Sequence, residues 1–260
     1  MSYALEICKL YKSFPGARRG DEPKQVLANV SFQVNDGEFV SVIGPSGSGK
    51  STLFHLIGGL EKPTSGDIKM QGRSVVGEQG HIAYMPQQAS LMPWLTVAGN
   101  IELALTIAGV AKAKARAQAE EWLSLVGLAG AANEYSHVLS GGMQQRVSFL
   151  RALLSPQRLM CLDEPFGALD ALTRMHMQTW LLSLWEADRR SVLFVTHSIE
   201  EALLLSDRII VLSAAPASII HELHVPFPRP RSEALWSDAG FVAMKQQLYE
   251  LLRPKSEVFT

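Results

Sequence analysis

The sequence predicts an α/β fold, a mostly parallel sheet covered by helices, and three observations point to it. Compact apolar runs recur at 39–43, 81–85, 159–162 and 191–196, each too short for a helix and suited to a buried strand. Between them lie stretches with helical apolar spacing, the alternation that places parallel strands under helices. At 260 residues with 47% apolar and 19% charged side chains, the chain has the apolar content to build one large core and is not a disordered polymer.

Residues 1–40 read as short strands broken by a polar loop at 15–25, where Pro, Gly and charged residues cluster. The run Phe-Val-Ser-Val-Ile at 39–43 reads as a buried strand that stops at Gly44. A helix follows over 50–60, with Leu53, Leu56, Ile57 and Leu60 on one face. From about 96 to 154 the character is helical, an insert of roughly 60 residues inside the strand–helix alternation. Within it, 113–126 is Ala-rich with Trp122, Leu123 and Val126 on one side. A helix over 170–185 separates the last two apolar runs, the prolines at 226–230 break the pattern, and 239–252 reads as a final helix.

Charge and cysteine content exclude whole classes. Lys and Arg number 24 against 25 Asp and Glu, a net charge of −1, which argues against a nucleic-acid partner held by phosphate contacts. The two cysteines, Cys8 and Cys161, are too few for a disulfide framework and fit a reducing compartment. No apolar run approaches the ~20 residues of a membrane span, and residues 1–14, carrying Glu6, Lys9 and Lys12, hold no secretory core. The expectation is a soluble cytoplasmic chain that reaches a membrane only through a partner.

Three motifs carry chemistry. The first, Gly44-Pro45-Ser46-Gly47-Ser48-Gly49-Lys50-Ser51 followed by Thr52, sits between a strand and a helix. Its glycines let several backbone N–H groups turn toward one phosphate, and the helix start adds positive partial charge. Lys50 suits the β and γ phosphates and the Ser51 hydroxyl suits Mg²⁺. The second is Asp163-Glu164 at the end of the 159–162 strand: Asp163 fits a contact to Mg²⁺, and Glu164 can polarise a water for in-line attack. Standing alone, this pair reads as a turn. The third, Leu139-Ser140-Gly141-Gly142-Met143, opens a helix with Ser140 as its cap and offers a second anion-binding helix start. One protomer has no need of two γ-phosphate sites, so the second is expected to serve a nucleotide held by a neighbouring copy.

Taken in order, the phosphate loop, Ser-Gly-Gly, Asp-Glu and Thr196-His197 over about residues 4–225 resemble the nucleotide-binding subunit of an ABC transporter. The resemblance implies a P-loop NTPase core with an antiparallel β lobe and an inserted helical subdomain. It divides the single domain into a core of 1–88 and 156–225, a helical subdomain of 89–155 and a tail of 226–260. It implies that Gln87 (with Gln88 as neighbouring alternative) senses Mg²⁺ and the attacking water, and that His197 contacts the γ phosphate. It also implies that Asp170 touches the opposing protomer and that Phe14, with Tyr11 as runner-up, stacks on adenine. ATP and Mg²⁺ are the implied ligands, a second copy and a membrane permease the implied partners, and the cytoplasmic face of the inner membrane the implied location.

A narrower likeness concerns cargo. Leu91-Met-Pro93-Trp94, Asp170-Ala-Leu-Thr-Arg174 and Val225-Pro-Phe-Pro-Arg-Pro-Arg231 resemble the nitrate, sulfonate and taurine-type importer ATPases. It implies taurine or an alkanesulfonate first, with nitrate or a thiamine pyrimidine precursor as alternatives, delivered through a substrate-binding protein; a soluble, non-transport ABC ATPase is the alternative to an importer. Pro93 and Trp94 lie where that family docks its permease.

Overall fold

The computed structural model describes residues 3–16, 18 and 21–253. Two compact units emerge, one from the described parts of 1–79 and 191–260 and the other from 80–190.

In the first unit, β1 (Tyr3–Phe14), β2 (Lys24–Asn35), β4 (Ser65–Met70) and β5 (Arg73–Ser74) form an antiparallel sheet in the order β2-β1-β4-β5. The first two strands are twelve residues long, where the sequence predicts short ones. The difference has a local cause. Lys9 takes a left-handed backbone (φ 46°), and the β1–β2 register shifts between Ile7 and Leu10. The bulge moves the buried alternation by one residue without ending the strand.

Under this lobe, β3 (Phe39–Ile43) lies between β8 (Ser191–Val195) and β9 (Arg208–Leu212), parallel to both, and β10 (Ile219–His224) closes that edge antiparallel to β9. Every residue of β3, β8 and β9 is buried, as expected of strands covered on both faces. Helix α1 (Lys50–Ile57) is shorter than its apolar spacing predicts. Gly59 turns left-handed (φ 70°) and the Leu60 N–H bonds the His55 carbonyl at 2.9 Å, a C-terminal stop that leaves Leu60 exposed.

The tail belongs to this core. After α6 (Ile199–Leu205), the chain forms β9 and β10, crosses the Pro-rich segment and ends its described part in α7 (Ala239–Leu252). Phe241 and Leu248 of α7 are buried with Ile43, Ile199, Leu203, Ile209 and Val211, and Phe241 meets Phe227 at 5.7 Å between ring centres.

The second unit holds the parallel pair β6 (Ile82–Met85) and β7 (Leu159–Asp163) and the helices α2 (Val97–Ile107), α3 (Lys112–Leu125), α4 (Gly141–Leu153) and α5 (Ala171–Ala187). An aromatic chain ties the last three together: Trp122 meets Trp180 at 6.0 Å, Trp180 meets Phe149 at 6.0 Å, and Phe149 meets Phe166 at 6.1 Å. The fold is the α/β class predicted, with the antiparallel lobe and the helical insert both present. Among the described residues, no helix is long and apolar enough to cross a membrane.

Because Phe241 is 1% exposed, Phe241→Ala should lower unfolding free energy by about 3–5 kcal/mol in urea denaturation. A loss under about 1 kcal/mol would mean that α7 lies outside the core.

Candidate nucleotide-binding site

The phosphate loop leaves the buried end of β3 and runs from Gly44 into α1. Gly47 (φ 74°) and Gly49 (φ 89°) are both left-handed, a shape that side chains oppose. At Gly49 space adds a second reason, since a Cβ there would stand 2.6 Å from Val26 Cγ1 and 3.0 Å from Leu27 Cδ2. No side chain caps α1, so its first N–H groups are left for an anion. Lys50 is buried, and its Nζ donates to the Gly44 and Pro45 carbonyls at 2.9 Å each and to Ser48 Oγ at 3.4 Å. The ammonium is thus held over the loop. Ser46 and Gly47 are exposed and Ser51 and Thr52 half-buried, an open rim around that charge.

His197 belongs to the same unit. β8 runs parallel to β3 with Val42 opposite Val195, so His197 leaves its strand at the end where Gly44 leaves β3. Its neighbours are fixed from α6: Thr196 Oγ1 and the buried Glu201 carboxylate share a short hydrogen bond, and the Ser198 N–H donates to Thr196 Oγ1 at 3.0 Å. Ser198 caps the helix by accepting from the Glu201 N–H, which leaves His197 exposed and outside the capping role. Phe14 ends β1 half-buried, with Lys12 Nζ 4.5 Å from its ring centre; Tyr11, also half-buried, lies three residues back on the same strand.

In the second unit, β7 delivers Asp163, 1% exposed, to its carboxyl end. Beside it, burial and then the Asp163 charge push the Tyr84 hydroxyl above its ordinary pKa, and the same two causes raise the Cys161 thiol. Glu164 follows in a left-handed backbone (φ 48°), a strained state for a non-glycine residue that functional sites retain. Its Oε2 accepts from Gln87 Nε2 at 3.0 Å. The Asp-Glu motif proposes Glu164 and the family resemblance proposes Gln87, and the structure brings the two into contact.

One residue here carries no assigned role in the sequence reading. Gln145, buried on α4, donates to the Glu164 carbonyl at 2.8 Å and accepts from the Ala168 N–H at 2.8 Å. It clamps the turn that sets the Glu164 backbone. It lies two residues past the Ser-Gly-Gly-Met stretch, yet a helical glutamine gives no local sign of a partner 19 residues away. Ser140 caps α4 by accepting from the Met143 N–H at 3.3 Å, and Ser140 and Gly141 are exposed with Gly142 half-buried. Gln144 braces the preceding turn through the Ser136 carbonyl at 2.8 Å. Asp170 caps α5, and the Thr173 N–H and hydroxyl hold its carboxylate below the usual range.

Ser51, Gln87 and Asp163 offer hydroxyl, amide and carboxylate oxygens, the hard donors Mg²⁺ takes. The buried Asp163 carboxylate, close enough to Tyr84 and Cys161 to raise both, supplies the negative charge such a cation requires.

The family model for ABC transporters matches residues 27–167. The chain belongs to the ABC transporter family. It is 47% identical over 201 residues to a formylaminopyrimidine import ATP-binding protein of Halalkalibacterium halodurans, covering 77% of this chain and 78% of that one. To an aliphatic sulfonates import ATP-binding protein of Bacillus cereus it is 44% identical over 228 residues, covering 86% and 89%. A bacterial ABC transporter cassette solved as a dimer superposes with a TM-score of 0.77 at 33% identity, covering 86% of this chain and all of that one. The same cassette has been solved in a post-hydrolysis state bound to ADP and Pi. This ABC cassette is an ATPase.

Gln145→Leu leaves the Glu164 carbonyl and the Ala168 N–H without their partner. ATP turnover should fall about tenfold or more with ATP affinity unchanged, because small displacements of a reacting group carry large rate penalties. Steady-state hydrolysis and nucleotide titration separate the two quantities, and wild-type turnover would discount the clamp.

Proposed function

We propose that this chain is the ATP-hydrolysing subunit of an importer for a small nutrient, with taurine or an alkanesulfonate as the first assignment of cargo. The observation that carries the catalytic reading is the Gln87–Glu164 hydrogen bond one residue past a buried aspartate, in a chain that also has an uncapped glycine-rich phosphate loop. The loop N–H groups and Lys50 bind the phosphates of ATP, and Phe14 or Tyr11 stacks on the adenine. Ser51, Gln87 and Asp163 hold Mg²⁺, which when bound neutralises phosphate charge. Glu164, held by Gln87, takes a proton from the water that forms the new bond to the γ phosphorus. The bond to ADP breaks in line, and His197 holds the γ-phosphate oxygens meanwhile.

Two copies bind head to tail, each ATP lying between the phosphate loop of one chain and Ser140, Gly141 and Gly142 of the other, with Asp170 at the contact between protomers. Cleavage divides the charge that bridged the chains, so the closed pair reopens. The dimeric cassette among the structural relatives supports this arrangement. Motion reaches a permease through Gln87 and the neighbouring Pro93-Trp94 segment, and Trp94, 71% exposed, is a large apolar side chain suited to anchoring a partner. The chain then works on the cytoplasmic face of the inner membrane, served by a substrate-binding protein outside. The sulfonate importer relative supports the first cargo and the formylaminopyrimidine relative the thiamine-precursor alternative, with nitrate the third.

Glu164→Gln should bind ATP yet hydrolyse it ~10²–10⁴-fold more slowly and form an ATP-dependent dimer on size exclusion, whereas Lys50→Ala should lose ATP binding. A monomeric, active Glu164→Gln chain would refute the role of Glu164, and unchanged nucleotide affinity in Lys50→Ala that of the loop. Trp94→Ala should keep basal hydrolysis and lower recovery of the permease complex; unchanged recovery removes it from the docking surface. A thermal-shift screen of the cognate binding protein against taurine, alkanesulfonates, nitrate and aminopyrimidines assigns the cargo.

A further inference from the structure

Residues 225–231, Val-Pro-Phe-Pro-Arg-Pro-Arg, take no part in the nucleotide chemistry proposed above. In the structure they carry an arginine with unusual surroundings. Arg231 is 7% exposed, and its guanidinium donates to five main-chain carbonyls. Three belong to the C-terminal end of α6 and the residue after it: Leu203 at 3.2 Å, Leu204 at 3.4 Å and Ser206. The other two, Phe227 at 2.9 Å and Val225 at 3.3 Å, belong to its own segment. Arg229 adds to the grip, with Nη2 donating to the Leu205 carbonyl at 2.7 Å and to Asp207 Oδ1 at 2.9 Å. The other oxygen of that carboxylate accepts from the Phe39 N–H at 3.0 Å, the first residue of the strand that leads to the phosphate loop.

The last carbonyls of any helix lack intrahelical partners, and cations favour that end. Here two guanidinium forks serve the carbonyls of four consecutive residues, 203 to 206. The helix so gripped has seven residues and is only about 10 Å long, too short to set its own position. Its other end begins at Ser198, next to His197, and its Glu201 reaches back to Thr196. His197 is therefore flanked on both sides by groups whose placement follows α6.

We propose that Arg231, assisted by Arg229, is a positioning residue for ATP turnover: it fixes α6 by its C-terminal carbonyls and, through that helix, sets His197. The inference rests on the reading that His197 acts on the γ phosphate. It gives the Pro-rich segment a task within the nucleotide site's own unit. Geometry, more than charge, is what the site demands, because only a planar fork meets carbonyls on both α6 and the segment at once, and a lysine ammonium is a single point.

The test is a mutant cycle on the full chain. Arg231→Lys, folded by circular dichroism, should lose about tenfold in kcat with ATP affinity unchanged, and Arg229→Gln about threefold, the pattern of a misplaced reacting group. In a His197→Ala background neither substitution should lower kcat further. The imidazole NMR signal of His197, assigned by its loss in His197→Ala, should move in Arg231→Lys. Wild-type turnover in folded Arg231→Lys, a loss that adds in full to that of His197→Ala, or a loss that appears in ATP affinity would each overturn the proposal. If Arg231→Lys does not fold, the same cycle on Arg229→Gln decides by the same outcomes. Full turnover in His197→Ala alone would instead remove the reading of His197, and this inference with it; an impaired His197→Ala with additive effects overturns this inference only.

Discussion

A triphosphate carries more negative charge than one lysine can balance, and on the proposed reading the backbone N–H dipoles of the loop meet part of the remainder. That constraint explains why the loop between β3 and α1 is left-handed at Gly47 and Gly49, why Val26 and Leu27 crowd Gly49, and why α1 has no capping side chain. A side chain in the cap position would consume the N–H groups that phosphate needs. The buried sheet keeps this arrangement in place. β3 is enclosed between β8 and β9, and the elements that carry Lys50 and His197 leave neighbouring strands at the same end.

The second unit solves a different problem, holding a carboxylate in a fixed pose at the end of a strand. Asp163 is buried, and Glu164 takes a backbone conformation that its side chain disfavours. Such strain persists only where surroundings over-determine it. Here Gln145 grips the turn from α4 while Gln87 holds the carboxylate. Because α4 also begins at Ser140-Gly141-Gly142, the helix start read as binding a partner's nucleotide and the clamp on the chain's own Glu164 share one rigid element.

What the sequence makes legible and what it hides divide along a physical line. The phosphate loop, the 159–163 strand, the capped start of α4 and the final helix were legible because their chemistry forces residue types into adjacent positions. Gly-rich spacing, an apolar run ending in Asp, and Ser before two glycines all act locally. The bulge at Lys9 and the early stop of α1 at Gly58-Gly59 were not, since each depends on one backbone torsion. Gln145, Glu201, Arg229 and Arg231 were hidden for another reason. Three of the four join segments 19 to 28 residues apart, and all act through partners that no local pattern announces. The family resemblance singles out Phe14, but Lys12 over its ring is a contact that only the fold reveals.

The proposed function depends on one nucleotide being completed by two chains, and mixed dimers test that directly. Lys50→Ala chains and Ser140→Arg chains are each prepared and found inactive, then combined and assayed for ATP hydrolysis. If Lys50 of one chain and Ser140 of the other complete each site, every mixed dimer contains one intact site, and activity returns on mixing. If instead a single chain supplies both residues to its own nucleotide, no mixed dimer has an intact site, and the mixture stays as inactive as its parts.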